Sequence, residues 1–364
     1  MVSQGFDDAS WLLIGLCFAL VVGFKISTPF AFSGNGLVNS AAMIAMLWAG
    51  KFFYTRYRVR PVFAALLTCV LQIILFSMAG AILSYMVAAR GGPLWDDSFR
   101  RWDLALGLDW LAYVHWVNDH PSVGGLYRYA YMTMVPQLLA LVMALCIAGK
   151  SRAMRTVICA AILSGICTVL ISGLTPAISN YVHLGLAPGD LPNLHPTAAY
   201  LHQADFIGLR DGSLRRIDIA TLQGIITFPS YHAALGTIFI WGFTRLGPVG
   251  WIGAAWAGLM LLATPVDGAH YFVDVFAGIA LAMAAMASAR ILVSRPWISS
   301  IARAMRRPAA LPPALPAGGS LPGTRKGRTV AHPAFPSISG QDLPPAELVA
   351  IDLDHLAGPH VDEQ

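Results

Sequence analysis

The chain reads as an all-α polytopic membrane protein, with about eight transmembrane helices, amphipathic helices on the outer side and a disordered cytoplasmic tail. Three observations carry that reading. Of 364 residues, 56% are hydrophobic and 12% charged, and the mean hydropathy is +0.62; soluble domains carry about twice that charged fraction. Apolar runs of roughly 17–25 residues recur along the sequence. Lys and Arg gather in alternate short connections, the bias that marks a cytoplasmic face. The net charge of +5 lies beside hydrophobic segments, so it is no signal for nucleic acid.

Taken in order, the candidate spans are roughly 10–26, 37–54, 62–88, 126–148, 153–173, 230–246, 249–265 and 271–293. Asp7 and Asp8 flank the first where a signal peptide would be basic. No small-residue cleavage site clearly follows, so it reads as a retained helix. The first, sixth and seventh runs are short. Lys51, Arg56, Arg58 and Arg60 fall between spans two and three, and Lys150, Arg152 and Arg155 between four and five. Arg245 separates six from seven, and Arg295, Arg303, Arg306 and Arg307 follow eight. Eight spans put all of these on one side, so both termini are expected in the cytoplasm and the connections 89–125 and 174–229 outside. That polarity suggests a bacterial inner membrane with a periplasmic site, and a lumenal equivalent in a eukaryote fits the same charges.

Residues 99–111 mix Trp102, Trp110 and leucines with Arg100, Arg101, Asp103 and Asp109, a composition suited to an amphipathic helix at headgroup level. Such a helix acts as a lid or collar on the helix tops or touches substrate directly. The second outer connection contains several Pro and Gly and ends in Arg210-Asp211-Gly212-Ser213-Leu214-Arg215-Arg216. Beyond Ser294 the chain turns to Pro, Ala, Gly and Arg and then acidic, as a disordered tail with a basic, anionic-lipid-facing start. Three parts result: 1–88, 89–293 and the tail 294–364. Cys17, Cys69, Cys146, Cys159 and Cys167 all lie in apolar runs without CxxC or CxxH spacing. They read as packing residues, with no zinc site and no disulfide framework.

Two motifs carry the chemistry. Pro229-Ser230-Tyr231-His232 opens one apolar run and His270-Tyr271-Phe272-Val273-Asp274 opens another, 38 positions later from His to His. At ~1.5 Å per residue, that interval suits one span down and one back. Both imidazoles then share one membrane face. Four residues apart on a helix, His270 and Asp274 lie on the same side. There the carboxylate holds one ring nitrogen protonated and sharpens the other as a nucleophile. Pro229 and Ser230 suit a helix start, whose free amides favour a phosphate. Two histidines and a carboxylate in this arrangement are the parts of a phosphoryl-transfer site. Taken alone, His232 fits equally an interfacial histidine bonded to a carbonyl. No spacing calls for a metal or cofactor.

Phe228-Pro229-Ser230-Tyr231-His232-Ala233-Ala234 and His270-Tyr271-Phe272-Val273-Asp274-Val275-Phe276-Ala277-Gly278 resemble the two C-terminal motifs of the type 2 phosphatidic acid phosphatase superfamily. Within it they look closest to the inositol phosphorylceramide synthase and sphingomyelin synthase branch (inositolphosphotransferase-like), whose second motif also reads His-Tyr-x-x-Asp-Val. The resemblance is specific over about 224–280 and looser from about 95. It implies a catalytic membrane domain over 89–293, with 1–88 as N-terminal transmembrane helices. It also implies that His270 attacks phosphorus to form a phosphohistidine and that Asp274 orients it. His232 would protonate the leaving alkoxide and then activate the acceptor, while Ser230 and the Tyr231 amide hold phosphate oxygens.

The sequence departs from the family pattern where cations are expected. The Lys-x6-Arg-Pro motif is missing: Arg60-Pro61, Arg295-Pro296 and Arg307-Pro308 are preceded by Phe53, Ser288 and Ser300 at the lysine position. Thr264 replaces the arginine usual six residues before the nucleophile. Phosphoryl transfer leans on positive charge at the equatorial oxygens, so Arg210, Arg215 and Arg216 become the candidates, with Arg100 and Arg101 behind them. Asp267 reads as a turn residue before Gly268, with orientation of an acceptor or water as the second reading. His183, His195 and His202 are too irregularly spaced for a metal site. Tyr127, Tyr129, Tyr131 and Trp116 read as an aromatic belt ahead of a headgroup cage.

The sequence therefore predicts a lipid phosphotransferase acting on a phospholipid or sphingolipid headgroup at the outer face, with an alcohol as acceptor. Water as acceptor gives a phosphatase on the same site. A non-catalytic lipid-binding relative is the reading from a different class. A transporter is disfavoured, since few ionisable residues sit at span centres.

Overall fold

The computed structural model describes residues 5–27, 30–196 and 200–294. The tail beyond Ser294, with Arg295, Arg303, Arg306 and Arg307, lies outside the described residues. The architecture is all helical apart from one two-residue strand pair.

Helices α1 (Gly5–Ser27), α2 (Gly34–Arg56) and α3 (Pro61–Ala88) form the N-terminal group, with α1 and α2 packed on α3. Pro61 starts α3 at the first helical position, where its missing N–H costs nothing. Two short helices follow, α4 (Asp96–Ala105) and α5 (Trp110–Asn118), in the segment expected to be amphipathic. Next come α6 (Pro121–Met132), α7 (Met134–Ile147) and α8 (Ser151–Ser172). The 174–229 connection contains α9 (Asn180–His183) and α10 (Gln203–Asp211). The C-terminal group is α11 (Tyr231–Thr244), α12 (Gly250–Asp267) and α13 (Phe272–Ser294).

The main core joins α1, α3, α8, α11 and α13 through side chains such as Leu83, Met86, Ile158, Ile162 and Phe239. Helix α11 packs on both α12 and α13, and α13 packs on α8. Cys17, Cys69, Cys146 and Cys159 are buried in α1, α3, α7 and α8, and Cys167 on α8 is half-buried.

Among the described residues, five helices are long and apolar enough to cross a membrane. A sixth span results if α6 and α7 are taken together. The expected count of eight thus includes α11 and α12, which are shorter or more polar-ended than a full span. Fourteen residues of α11 rise only ~21 Å, and α12 ends in Thr264, Pro265 and Asp267. The expected continuous span 126–148 is also broken: α6 and α7 meet at 58°. Pro136 explains the break, since it lacks an N–H for the Met132 carbonyl and its ring crowds that group.

The α1–α2 turn and both long connections gather at the end of the bundle where α11 and α13 begin. Strand β1 (Ala31–Phe32) pairs in parallel with β2 (Arg216–Ile217). The Trp95 amide donates to the Pro176 carbonyl at 2.9 Å, and Thr227 Oγ1 donates to Ala177 O at 2.9 Å.

Candidate active site

His232 lies in the first turn of α11. Ser230 is the N-cap, at φ −70 and ψ 116, and its Oγ accepts from the Ala233 amide at 3.3 Å. The Ser230 amide donates to the Asp274 carbonyl at 3.0 Å, which ties the start of α11 to the start of α13. Gly278 permits this approach. A Cβ on it would lie 2.3 Å from the Ser230 carbonyl oxygen.

His270 sits in the turn between α12 and α13. Ala269 before it has φ 57, a left-handed conformation that costs a non-glycine residue about 1–2 kcal/mol. Asn180 holds this turn: its amide donates to the Ala269 carbonyl and its side chain to the His270 carbonyl, each at 3.3 Å. His270 Nδ1 lies 3.3 Å from Asp274 Oδ2, which also accepts from the Tyr271 amide at 2.9 Å. The carboxylate is fully buried, so its orientation is fixed by these two contacts. Burial lowers the His270 imidazole to about 3, His232 adds to the fall, and a backbone hydrogen bond to Thr227 opposes it. The ring is therefore neutral near pH 7, the form that can act as a nucleophile.

Helix α4 anchors this turn from outside. Asp103 accepts from the Phe272 and Val273 amides at 2.8 Å each, capping two of the orphan donors at the start of α13. Asp96 accepts from the Ile178 and Ser179 amides and from the Tyr271 hydroxyl. Both carboxylates are buried, and burial raises the Asp103 carboxyl while its two amide bonds pull it down. Phe99 stacks on Phe228 at 4.6 Å. The amphipathic segment thus packs on the His270 turn as a collar, the arrangement expected as the alternative to direct substrate contact.

Both motif histidines line one cavity of about 410 Å³. Its far wall is largely apolar, from Phe76 and Gly80 on α3, Gly165 and Val169 on α8, and the 222–227 segment. Tyr231 also lines it, with its hydroxyl donating to the Ala161 carbonyl at 3.0 Å.

The remaining predicted residues are distributed differently. Ser230 is fully buried, and its hydroxyl serves the helix cap away from the cavity lining. Arg210, Arg215 and Arg216 do not line the cavity. Arg210 donates to the Gly92 carbonyl and lies over Phe206. Arg215 donates to the Leu209 and Leu214 carbonyls and lies over Phe30. Arg216 is exposed on β2. The pairing of β2 with β1 ties this stretch to the α1–α2 turn. Arg100 and Arg101 are exposed on α4 and absent from the cavity wall.

Three residues gain a place that their sequence positions did not announce. Tyr131, read as part of an aromatic belt, ends α6 and stacks on His232 with ring centroids 4.2 Å apart and planes 18° apart. Its hydroxyl is 3.2 Å from His232 Nδ1. Pro136 was the readable signal, because a helix broken near Met132 turns Tyr131 inward. His202 lines the cavity too, close enough to His270 to influence its charge. Asp267 is the last residue of α12 and is buried, not at a loop tip. Arg128 is its electrostatic counterpart. Of the belt residues, Tyr129 and Trp116 are exposed, as a belt requires.

Fold and site together define a polytopic membrane protein in which a buried His–Asp pair and a second histidine open onto one cavity. A family model described as the PAP2 superfamily matches residues 97–288, more than half of the chain. The chain belongs to the PAP2 superfamily. Searches of curated proteins and of solved structures returned no match. Membership supports an enzyme of phosphatase or phosphotransferase type acting on phosphate-containing lipids.

Proposed function

We propose that this protein is a membrane lipid phosphotransferase that moves a phosphate-containing headgroup through a phosphohistidine, at the outer face of the membrane. One observation carries the reading: the histidines of two distant motifs line a single cavity whose remaining lining is largely apolar. With Nδ1 engaged by Asp274, His270 attacks phosphorus through Nε2, and the bond from phosphorus to the departing alkoxide breaks. His232 gives that alkoxide its proton. It then takes one from the incoming hydroxyl, which attacks the phosphohistidine and restores His270. Tyr131 at Nδ1 keeps the other nitrogen of His232 for this traffic. The His-Tyr-x-x-Asp-Val likeness to inositol phosphorylceramide and sphingomyelin synthases favours an alcohol over water as acceptor, and a phospholipid or sphingolipid as donor. The charge bias of the short connections supports a site that faces the periplasm of a bacterial inner membrane.

One observation favours a non-catalytic lipid binder: among the described residues no Lys or Arg lines the cavity. Under the catalytic reading, positive charge comes from His202 and from the amides that open α11, or from an arginine brought in with substrate. Purified protein incubated with labelled phospholipid and candidate alcohols decides among the readings. An alcohol-dependent labelled product is expected, together with an acid-labile, base-stable label on the protein that His270→Ala abolishes. Free phosphate or free headgroup alone refutes the transferase, and full turnover by a folded His270→Ala variant refutes the nucleophile.

A further inference from the structure

A second pocket lies at the opposite end of the bundle. Arg245 is thirteen residues beyond His232 and Arg290 is twenty beyond His270. At ~1.5 Å per residue the two arginines are ~20 and ~30 Å from the candidate active site along α11 and α13. The pocket has a volume of about 600 Å³. Lys150, Arg152, Arg245 and Arg290 line it, and among the described residues no carboxylate does.

Its construction is specific. Arg245 lies over the Trp241 ring at 4.7 Å and Arg290 at 5.0 Å. One indole therefore positions both guanidiniums at the pocket, where their like charges favour a bound anion. The Trp241 Nε1 donor is shielded from solvent and has no hydrogen-bond partner among the described residues. Ser151, Arg152 and Ala153, the first three residues of α8, form another part of the wall. Their amides precede the first internal helical bond, so the positive end of a 22-residue helix adds to the four cations.

We infer that this pocket binds a phosphate-bearing anion, on the membrane face opposite to the candidate active site. Planar guanidiniums that bond phosphate in a bidentate fashion, a lysine and a helix N-terminus form the donor set such a group needs. Anionic lipid headgroups and free phosphate share this chemistry. Neither depends on the reaction proposed above, because the pocket shares no residue with the site of His232 and His270.

The full chain in nanodiscs tests it. One arm measures retention of phosphatidylglycerol against phosphatidylcholine by native mass spectrometry, and the other titrates inorganic phosphate into protein in neutral detergent. The Arg245→Gln/Arg290→Gln variant should lose at least tenfold in affinity in the arm that shows binding. His270→Ala should stay within about threefold of the parent protein, and Arg245→Lys/Arg290→Lys, which keeps the charge but loses the bidentate geometry, should fall between the parent and the Gln variant. Selective retention of phosphatidylglycerol identifies a lipid headgroup, and binding of inorganic phosphate alone identifies a soluble ligand. Binding in neither arm, or binding that the double Gln variant leaves unchanged, overturns the inference. A gel-filtration profile and melting curve like the parent's establish that the variant is folded.

Discussion

Replacing Gly278 with Ala tests how the two histidines are held together. The added Cβ would stand 2.3 Å from the Ser230 carbonyl oxygen, 3.0 Å from Ala233 Cβ and 3.3 Å from the Ala234 amide. The first contact is with backbone at a capped helix start, so no side chain can swing aside. Separation must grow by about 0.7 Å merely to reach 3.0 Å, and further to reach an ordinary carbon contact. The start of α11 carries His232, while the start of α13 follows His270. The shift therefore opens the gap between the two imidazoles and strains the Ser230–Asp274 backbone bond. Overpacking of this size costs about 1–3 kcal/mol of stability, and a misplacement approaching 1 Å costs about 10²-fold in turnover. Gly258→Ala on α12 is the control, because nothing lies within 4 Å of its Cβ. Turnover of labelled phospholipid in mixed micelles, with a melting curve for each variant, provides the readout. Gly278→Ala with the stability and turnover of Gly258→Ala refutes the claim that this approach aligns the site.

Further outcomes are expected elsewhere in the site. Tyr131→Phe keeps the ring stacked on His232 but removes the hydroxyl at Nδ1, so turnover should drop about tenfold with the melting curve nearly unchanged. Asp103→Ala uncaps two amides of α13 and should lower stability by about 1–2 kcal/mol, read from chemical denaturation in micelles. The folded-state value of about 3 for His270 is below its ordinary 6.5. The unfolded chain therefore binds the extra proton as pH falls from 6.5 toward 3. Stability from this group is complete above about 6.5 and lost toward 3, so melting temperature should decrease over that window, less so in His270→Ala. A flat profile that His270→Ala does not alter contradicts the buried, neutral ring.

The motifs themselves were legible because each is local. Ser230 as a helix cap and the His270–Asp274 pair follow from spacings of three and four residues, and the structure shows both contacts. The amphipathic 99–111 stretch was legible from its alternation of tryptophans and charges. Its destination was not, since Asp103 reaches amides 169 and 170 positions away. Hydropathy also overlooked the break at Met132, because Pro136 sits inside an otherwise unbroken apolar run. Tyr131 was misread for the same reason. The arginines of 210–216 were placed by nearness in sequence to Pro229, whereas pairing of β2 with β1 decides their position. Such a pairing of two short segments 185 residues apart leaves no periodic trace.

The collar has a mechanical corollary. Helix α4 is joined to the His270 turn by Asp103 and to the 178–179 backbone by Asp96. Lifting it would strand two buried carboxylates and four backbone donors, so α4 and the head of α13 travel as one rigid bracket. Nothing can come in beneath that bracket without dismantling the mounting of the His270 turn. The rest of the cavity lining, from α3, α8 and the 222–227 segment, is largely apolar, so under the proposed function a lipid's acyl chains would lie against that side and leave the bracket undisturbed.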